Sequence, residues 1–339
     1  MTQPETDKPR GQKLTTQRLN EMAFLFRNAG TLIAAIELKL FTKISEGATE
    51  PARVAEKIGI SADSAERLMI TCAALDLLEK RNDKYANAPD VERYLVIGSP
   101  TYFGDYLVWQ AKEDYDKWKN LAGSLRMKRG RYDIMSDPEV ARAFTIAGYN
   151  SSISAGHKLA KEFDFSRYSL FLDLGGGSGC YSIAAAIRHP QLRAIVFDQP
   201  NVVPVSEEFI AQAGLSDRIK TRGGNFLTDE FPRGADLIGY ITPLQGYDIE
   251  DVQFLVKKAY DAVEPGGGIL ILDYMLNEDK TGPLVPAFFN LRALIEIDPG
   301  RVNSTAEFCE ILSEVGFVDI KVSNFLPGSI WRVTGKKPK

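Results

Sequence analysis

Leu170-Phe171-Leu172-Asp173-Leu174-Gly175-Gly176-Gly177-Ser178-Gly179 is an apolar strand running directly into a glycine-rich turn, and Cys180-Tyr181-Ser182-Ile183-Ala184-Ala185-Ala186-Ile187 behind it reads as a helix. Glycine adopts backbone conformations closed to other residues and lets a ligand approach nearer than a Cβ permits. Strand, glycine turn and helix in this order open a nucleotide-type site at the carboxyl end of a parallel sheet, although glycine clusters also build ordinary turns. A second apolar run, Arg193-Ala194-Ile195-Val196-Phe197, ends in Asp198. A carboxylate closing the second strand stands where a ribose presents its hydroxyls and accepts from both. The five pieces together form one adenosine-binding half-site, with the particular adenosine cofactor left open.

Working outward, strand and helix signals alternate from Tyr168 onward, as in an open α/β sheet. Ile219 to Phe226 gives a third strand with its exit turn, and Ala235 to Ile241 a fourth. A helix from Ile249 to about Val263 stops at Pro265-Gly266-Gly267-Gly268, and Ile269-Leu270-Ile271-Leu272-Asp273 is a fully apolar fifth strand. A helix from Ala306 to Val315, stopped by Gly316, precedes Val318–Phe325 and Ile330–Gly335, which read as an antiparallel pair joined by Leu326-Pro327-Gly328-Ser329.

Toward the N-terminus, Leu19 to Ile44 carries apolar residues at helical spacing on more than one face, one for its own domain and one for a partner subunit. Two helices follow, the first with Pro51 in its opening turn and Gly59 as its stop, the second starting at Ser61 and running through Leu68, Met69, Leu75 and Leu78. A hairpin turning at Asn82-Asp83 completes a winged-helix module. Such modules bind DNA, but the second helix sets Asp63, Glu66 and Asp76 against Arg67 alone, a poor phosphate-contact surface. Dimerisation or substrate cover is the better reading. From Tyr102 to Phe163 runs a helical connector rich in aromatics, among them Trp109, Trp118 and Tyr132, which pack between domains or line an apolar pocket. The chain thus divides into a disordered tail (1–12), a winged-helix domain (13–100), a connector and substrate cover (101–163) and a cofactor domain (164–339).

Composition narrows the class. With 44% hydrophobic and 25% charged residues the chain is ordinary for a globular protein, and its net charge of −4 argues against nucleic acid. Cys72, Cys180 and Cys309 match no zinc or disulfide spacing, so no metal is expected. No apolar run has the length of a membrane span and the first residues lack a signal-peptide core, so a cytoplasmic location is expected. The only histidines are His157, on the helix entering the cofactor domain, and His189, read as a solvent-exposed helix terminus.

Taken in order, Asp173-Leu174-Gly175-Gly176-Gly177-Ser178-Gly179, Phe197-Asp198-Gln199-Pro200-Asn201-Val202, Gly223-Gly224-Asn225-Phe226 and Glu264-Pro265-Gly266-Gly267-Gly268 resemble the class I S-adenosylmethionine-dependent methyltransferases. Within these, the likeness is to the small-molecule O-methyltransferases with an N-terminal winged-helix dimerisation domain, and it covers nearly the whole chain. It implies an α/β fold: a Rossmann-like seven-stranded sheet, mostly parallel with the last strand antiparallel, preceded by a mainly α dimerisation domain. It also implies S-adenosylmethionine as cofactor, S-adenosylhomocysteine as product, a small-molecule acceptor and a homodimer. By position, Asp173, Gly175 and Gly177 pass under the methionine part, Asp198 and Gln199 meet the ribose, and Gly224, Asn225, Phe226 and Ile241 surround adenine. Asn225 stands where the family usually has aspartate, keeping an acceptor but losing charge.

The catalytic end departs from the family. Its histidine base falls on Gln245 within Thr242-Pro243-Leu244-Gln245-Gly246-Tyr247-Asp248, and its second acidic position falls on Val302; the acid after the fifth strand is kept in type as Asp273. An amide is no base at any useful pH. Gln245, Tyr247 and Asp273 are therefore expected to orient an acceptor, with Tyr149, Phe288, Phe289, Asn290 and Leu294 lining its pocket. Three functions follow: a methyltransferase acting chiefly by proximity, a cofactor-retaining non-methylating enzyme (hydroxylase, decarboxylase or cyclase-like), and a winged-helix metabolite sensor. Sequence leaves open the acceptor, its pathway, the nucleophilic atom and whether methyl transfer is retained.

Overall fold

The computed structural model of the chain describes residues 15–126, 134–296 and 300–339, in two units that divide between Tyr115 and Asp116. The expected tail, and Tyr132 of the connector, lie outside the described residues. The connector is shared between the units: its first long helix spans the boundary, and the rest belongs to the second unit.

In the first unit the long N-terminal apolar segment is three helices rather than one: α1 (Gln17–Phe24), α2 (Phe26–Glu37) and α3 (Leu40–Ser45). Lys39 adopts a left-handed φ of 59° at the second break, a conformation no helix interior accepts, and periodicity alone does not register it. α4 (Pro51–Ile58) stops at Gly59 (φ 73°), and Ser61 caps α5 (Ala62–Ala74) by accepting the Ser64 N–H at 3.0 Å. The helix expected to reach Leu78 ends at Ala74, because Asp76 turns left-handed (φ 56°) and Leu78 opens a strand. β1 (Leu78–Arg81) and β2 (Lys84–Asn87) pair antiparallel around Asn82 and Asp83, both with positive φ as a tight hairpin requires. α6 (Pro89–Tyr94) and α7 (Gly104–Lys119) follow. Leu40, Phe41, Val54, Met69 and Cys72 make the core. The one basic residue on α5, Arg67, is paired with Asp63 at 2.8 Å, which leaves that helix without a free cation for a phosphate.

The second unit continues with α8 (Leu121–Ser124) and α9 (Pro138–Glu162). It then alternates: β3 (Leu170–Leu174), α10 (Cys180–Arg188), β4 (Arg193–Asp198), α11 (Val203–Gln212), β5 (Ile219–Gly223), β6 (Leu237–Ile241), α12 (Ile249–Ala262) and β7 (Gly268–Tyr274). α13 (Leu284–Glu296), α14 (Thr305–Val315), β8 (Val318–Leu326) and β9 (Ile330–Lys336) complete it. The seven strands lie in the order β5-β4-β3-β6-β7-β9-β8, with β9 antiparallel to both its neighbours and the pairs from β5 to β7 parallel.

The reason is legible in β7. Ile269 and Ile271 pack with α12 and α14 on one face of the sheet, while Leu270 and Leu272 pack with α9, α10 and α11 on the other. A strand covered on both faces is apolar throughout. Strand order reverses between β3 and β6, and the crevice outside their carboxyl ends is where such sheets bind ligands. His189 differs from expectation. It is half-buried, its Nε2 lying 3.0 Å from the Ala160 carbonyl oxygen, so it ties the end of α10 to α9 rather than facing solvent. His157 is exposed.

Candidate active site

The glycine turn takes the shape its sequence asks for. Gly175, Gly177 and Gly179 all have positive φ (70°, 54° and 74°), and Gly175 is wedged between two side chains. A Cβ added there would sit 2.9 Å from Pro243 Cβ and 3.1 Å from Phe226 Cζ. The turn is thus clamped between the loop after β5 and the turn after β6. Beneath it Asp173 is fully buried, and its Oδ2 accepts the Ser182 hydroxyl at 2.6 Å. Its Oδ1 is buried without a hydrogen-bond partner, and burial above all raises this carboxyl to about 7.

Asp198, at the end of β4, accepts Gly177 N–H at 2.8 Å through Oδ2 and Gln199 N–H at 2.7 Å through Oδ1. One carboxylate therefore locks the glycine turn to the exit of the second strand, and each oxygen keeps further lone-pair capacity for a hydroxyl. Gly224 N–H reaches the Asp198 carbonyl at 2.9 Å, bringing the third strand's exit alongside. Phe226 is 8% exposed and packs on Phe197, while Ile241 is buried at the end of β6. Asn225 is exposed, but its Oδ1 accepts the Leu227 N–H at 2.9 Å. The acceptor expected to face adenine also shapes its own loop, an ordinary use of asparagine in turns.

The turn after β6 carries Gln245, expected from the sequence at the family's catalytic position. Thr242 has φ 65°, rare for a β-branched residue, and its N–H reaches the Leu272 carbonyl oxygen at 2.7 Å. Leu244–Gly246 forms one 3₁₀ turn, and Asp248 caps α12 by accepting Asp251 N–H at 2.8 Å. Gln245 folds back on this turn: Nε2 donates to the Thr242 carbonyl at 3.2 Å, and Oε1 is buried with no partner. Asp273, 1% exposed, accepts the N–H groups of Leu244 at 3.1 Å and Tyr274 at 2.8 Å, with that of Gln245 also bonded to it. Burial lifts its carboxyl to about 7 against the pull of those donors. The acid expected to orient an acceptor holds the turn that bears Gln245. Tyr247 is half-buried, tilted toward Phe226 at 6.2 Å, and its carbonyl accepts Arg301 N–H at 3.2 Å.

On the acceptor side, α13 presents Phe288, half exposed and edge-on to Trp118 at 5.7 Å, and Phe289, stacked on Tyr274 at 3.7 Å. Asn290 Oδ1 accepts the Val302 N–H at 2.9 Å, and Val302 is buried. Leu294 is 45% exposed. Tyr149 stacks on Phe209 of α11 at 3.9 Å, so the structure pairs it with the cofactor half rather than with α13. Sequence reading missed Ser182, Phe209, Tyr274 and the strained Thr242. Tyr274 follows Asp273 on an alternating strand and so faces the opposite side, a signal available from β periodicity.

The cradle at Gly175, the acid at Asp198 and the buried open acceptor of Asp173 fit S-adenosylmethionine. Set on this sheet order, they define a class I S-adenosylmethionine-dependent methyltransferase. A family model described as an O-methyltransferase domain matches residues 117–318, and one described as an O-methyltransferase dimerisation domain matches residues 20–96. The chain belongs to this O-methyltransferase family. It is 31% identical to the tetracenomycin polyketide synthesis 8-O-methyl transferase of Streptomyces glaucescens, covering 94% of this chain and 96% of that one. It is 30% identical to the 3-hydroxy-5-methyl-1-naphthoate 3-O-methyltransferase of Streptomyces sahachiroi, covering 94% of each. The crystal structure of human N-acetylserotonin methyltransferase in complex with S-adenosylmethionine superposes with a TM-score of 0.83 at 26% identity, covering 98% of this chain and all of that one. No helix among the described residues is long and apolar enough to cross a membrane.

Proposed function

We propose that this methyltransferase acts on a small aromatic or polycyclic acceptor and works chiefly by proximity and orientation, without a protein base. One observation carries the reading. The turn packed against the glycine cradle bears Gln245, whose amide is tied back to Thr242, while the carboxylate of Asp273 holds backbone N–H groups of the same turn. The remaining family position is the apolar, buried Val302. An aromatic acceptor is supported by Trp118, Tyr274, Phe288 and Phe289 around α13, and by the aromatic polyketide and naphthoate named in the relatives' activities.

Bound S-adenosylmethionine supplies a methyl group on a sulfonium that leaves as a neutral thioether. What the chain adds is placement, and well-oriented reactants gain about 7–11 kcal/mol of barrier lowering from this effect alone. An acceptor that is already nucleophilic, such as an acidic phenol, an enol, a thiolate or an amine, needs no more. Phenols of graded acidity, offered with methyl-labelled cofactor, should react at rates that follow their ionised fraction. Gln245→His should raise turnover of weakly acidic phenols by about a hundredfold, the lower range of a positioned general base. Equal rates for strong and weak phenols would defeat the base-free reading. Cofactor binding with no S-adenosylhomocysteine formed from any acceptor would favour the second use of such a site, by a non-methylating enzyme, to which the loss of the base also points.

A further inference from the structure

The loop that follows β5 is closed on itself. Asn225 N–H donates to Asp229 Oδ2 at 2.8 Å, Leu227 N–H to Asn225 Oδ1 at 2.9 Å, and Asp229 N–H to the Asn225 carbonyl at 2.9 Å. A lysine on a different element ties it further to the rest of the molecule, beside the Gly224 N–H bond to the Asp198 carbonyl and the packing of Phe226 on Phe197. Lys258, in the third turn of α12, donates from Nζ to the carbonyl oxygens of Phe226 and Asp229, each at 2.5 Å. The same ammonium lies 4.2 Å from the centre of the Phe231 ring, which packs edge-on against Phe197 and Phe226. A surface lysine is ordinarily a solvated charge on a flexible stem. This one bridges two loop carbonyls and covers a ring.

We infer that Lys258 is a positioning residue for the cofactor, holding the Asn225–Phe231 loop in the shape that sets Phe226 against the adenine and so fixing cofactor affinity. The inference rests on the reading of Asn225 and Phe226 as the adenine border. Without the ammonium both carbonyls lose their shared donor: the exposed Asp229 carbonyl turns to water, while the part-buried Phe226 carbonyl regains a hydrogen bond only if the loop shifts. A loop that is competent for a fraction of the time weakens apparent affinity by that fraction.

The test is titration of the full chain with S-adenosylhomocysteine in a calorimeter, comparing the wild type with K258M, which keeps the stem, and K258R, which keeps a donor. K258M should bind about tenfold more weakly, as expected for a loop competent about a tenth of the time, and K258R should recover most of the loss. Hydrogen exchange adds a readout that general destabilisation would not give. Amides of residues 224–231 should exchange faster in K258M while those of β3 and α10 do not change. If K258M is not obtained folded, K258Q carries the same comparison. Asp198→Ala separates the two readings. Unchanged affinity in K258M beside lost affinity in Asp198→Ala overturns the role of Lys258 and leaves the cofactor site standing. Unchanged affinity in Asp198→Ala overturns the site assignment and the inference with it.

Discussion

Gly175, Asp198 and Gln245 were each picked out by residue type, and the structure gives each a different kind of necessity. At Gly175 the left-handed backbone and the contacts with Pro243 and Phe226 exclude any side chain. Gly175→Ala should cost about 2 kcal/mol or more from backbone conformation and overpacking together, read by denaturant unfolding, and should abolish S-adenosylhomocysteine binding. Asp173 and Asp273 make a prediction about acid. Burial raises both to about 7, well above the ordinary carboxylate range, so each binds its proton more tightly folded than unfolded. Between about pH 4 and pH 7 the unfolded chain has released protons that the native state retains. Their contribution to stability therefore falls as pH rises through that window and levels off above it. In Asp273→Asn that decline should be shallower than in the wild type, measured as unfolding free energy at pH 5 and pH 8; parallel profiles would refute the assignment.

At the scale of the element, the turn between β6 and α12 is the most constrained segment of the site. It is bounded by the Asp248 cap, suspended from Asp273 and started by a threonine in a left-handed conformation. A non-glycine residue there costs about 1–2 kcal/mol. Thr242→Gly should recover about that much in unfolding free energy while lowering kcat more than it changes cofactor affinity, because the turn would no longer hold one geometry. Higher stability with unchanged kcat would show that the strain has no part in positioning. Gly300 packs directly on this turn, a Cβ there standing 2.8 Å from the Gln245 carbonyl oxygen. The segment bearing Val302 and the turn bearing Gln245 are therefore one structural piece. That Gln245 and Val302, the two departures expected at the catalytic end, fall on touching segments follows from the fold, since they lie 57 residues apart in sequence.

For the whole molecule, the feature outstanding is α1, which has no buried residue. On α1 Leu19, Met22 and Phe24 are 56%, 59% and 44% exposed, and Leu25 and Phe26, at the junction with α2, are 57% and 65% exposed. Isolated exposed apolar residues are unremarkable, but a run of them on a helix marks an interaction surface. It falls within and beside the segment matched by the dimerisation family model, and we assign it to a second copy of the chain. A Met22→Lys, Phe26→Lys double variant should elute as a monomer in size-exclusion chromatography with light scattering, and the wild type as a dimer. A dimeric double variant would place the interface elsewhere.

Much of this was open to reading in the sequence because the signals are local. The glycine turn, the acid closing β4, the apolar β7, the Asn82-Asp83 hairpin and the stop at Gly316 each depend on a few adjacent residues whose conformational preferences are their own. Helix breaks at Lys39 and Asp76 escaped the same reading because neither falls on a glycine or proline: lysine seldom adopts a left-handed angle, and aspartate adopts it more readily but also sits within helices. Roles at the site escaped it for a related reason. Sequence shows that Gln245, Val302, Asp273, Asn225 and Lys258 are present, but which group meets a ligand and which holds a loop depends on hydrogen bonds between segments far apart in the chain. The sequence by itself thus determined the sheet and the cofactor. Only the tertiary structure decided that Asp273 and Asn225 serve backbone N–H groups and that Lys258 bridges to the loop after β5, because hydrogen-bonding capacity is assigned by whichever partner folding brings within reach.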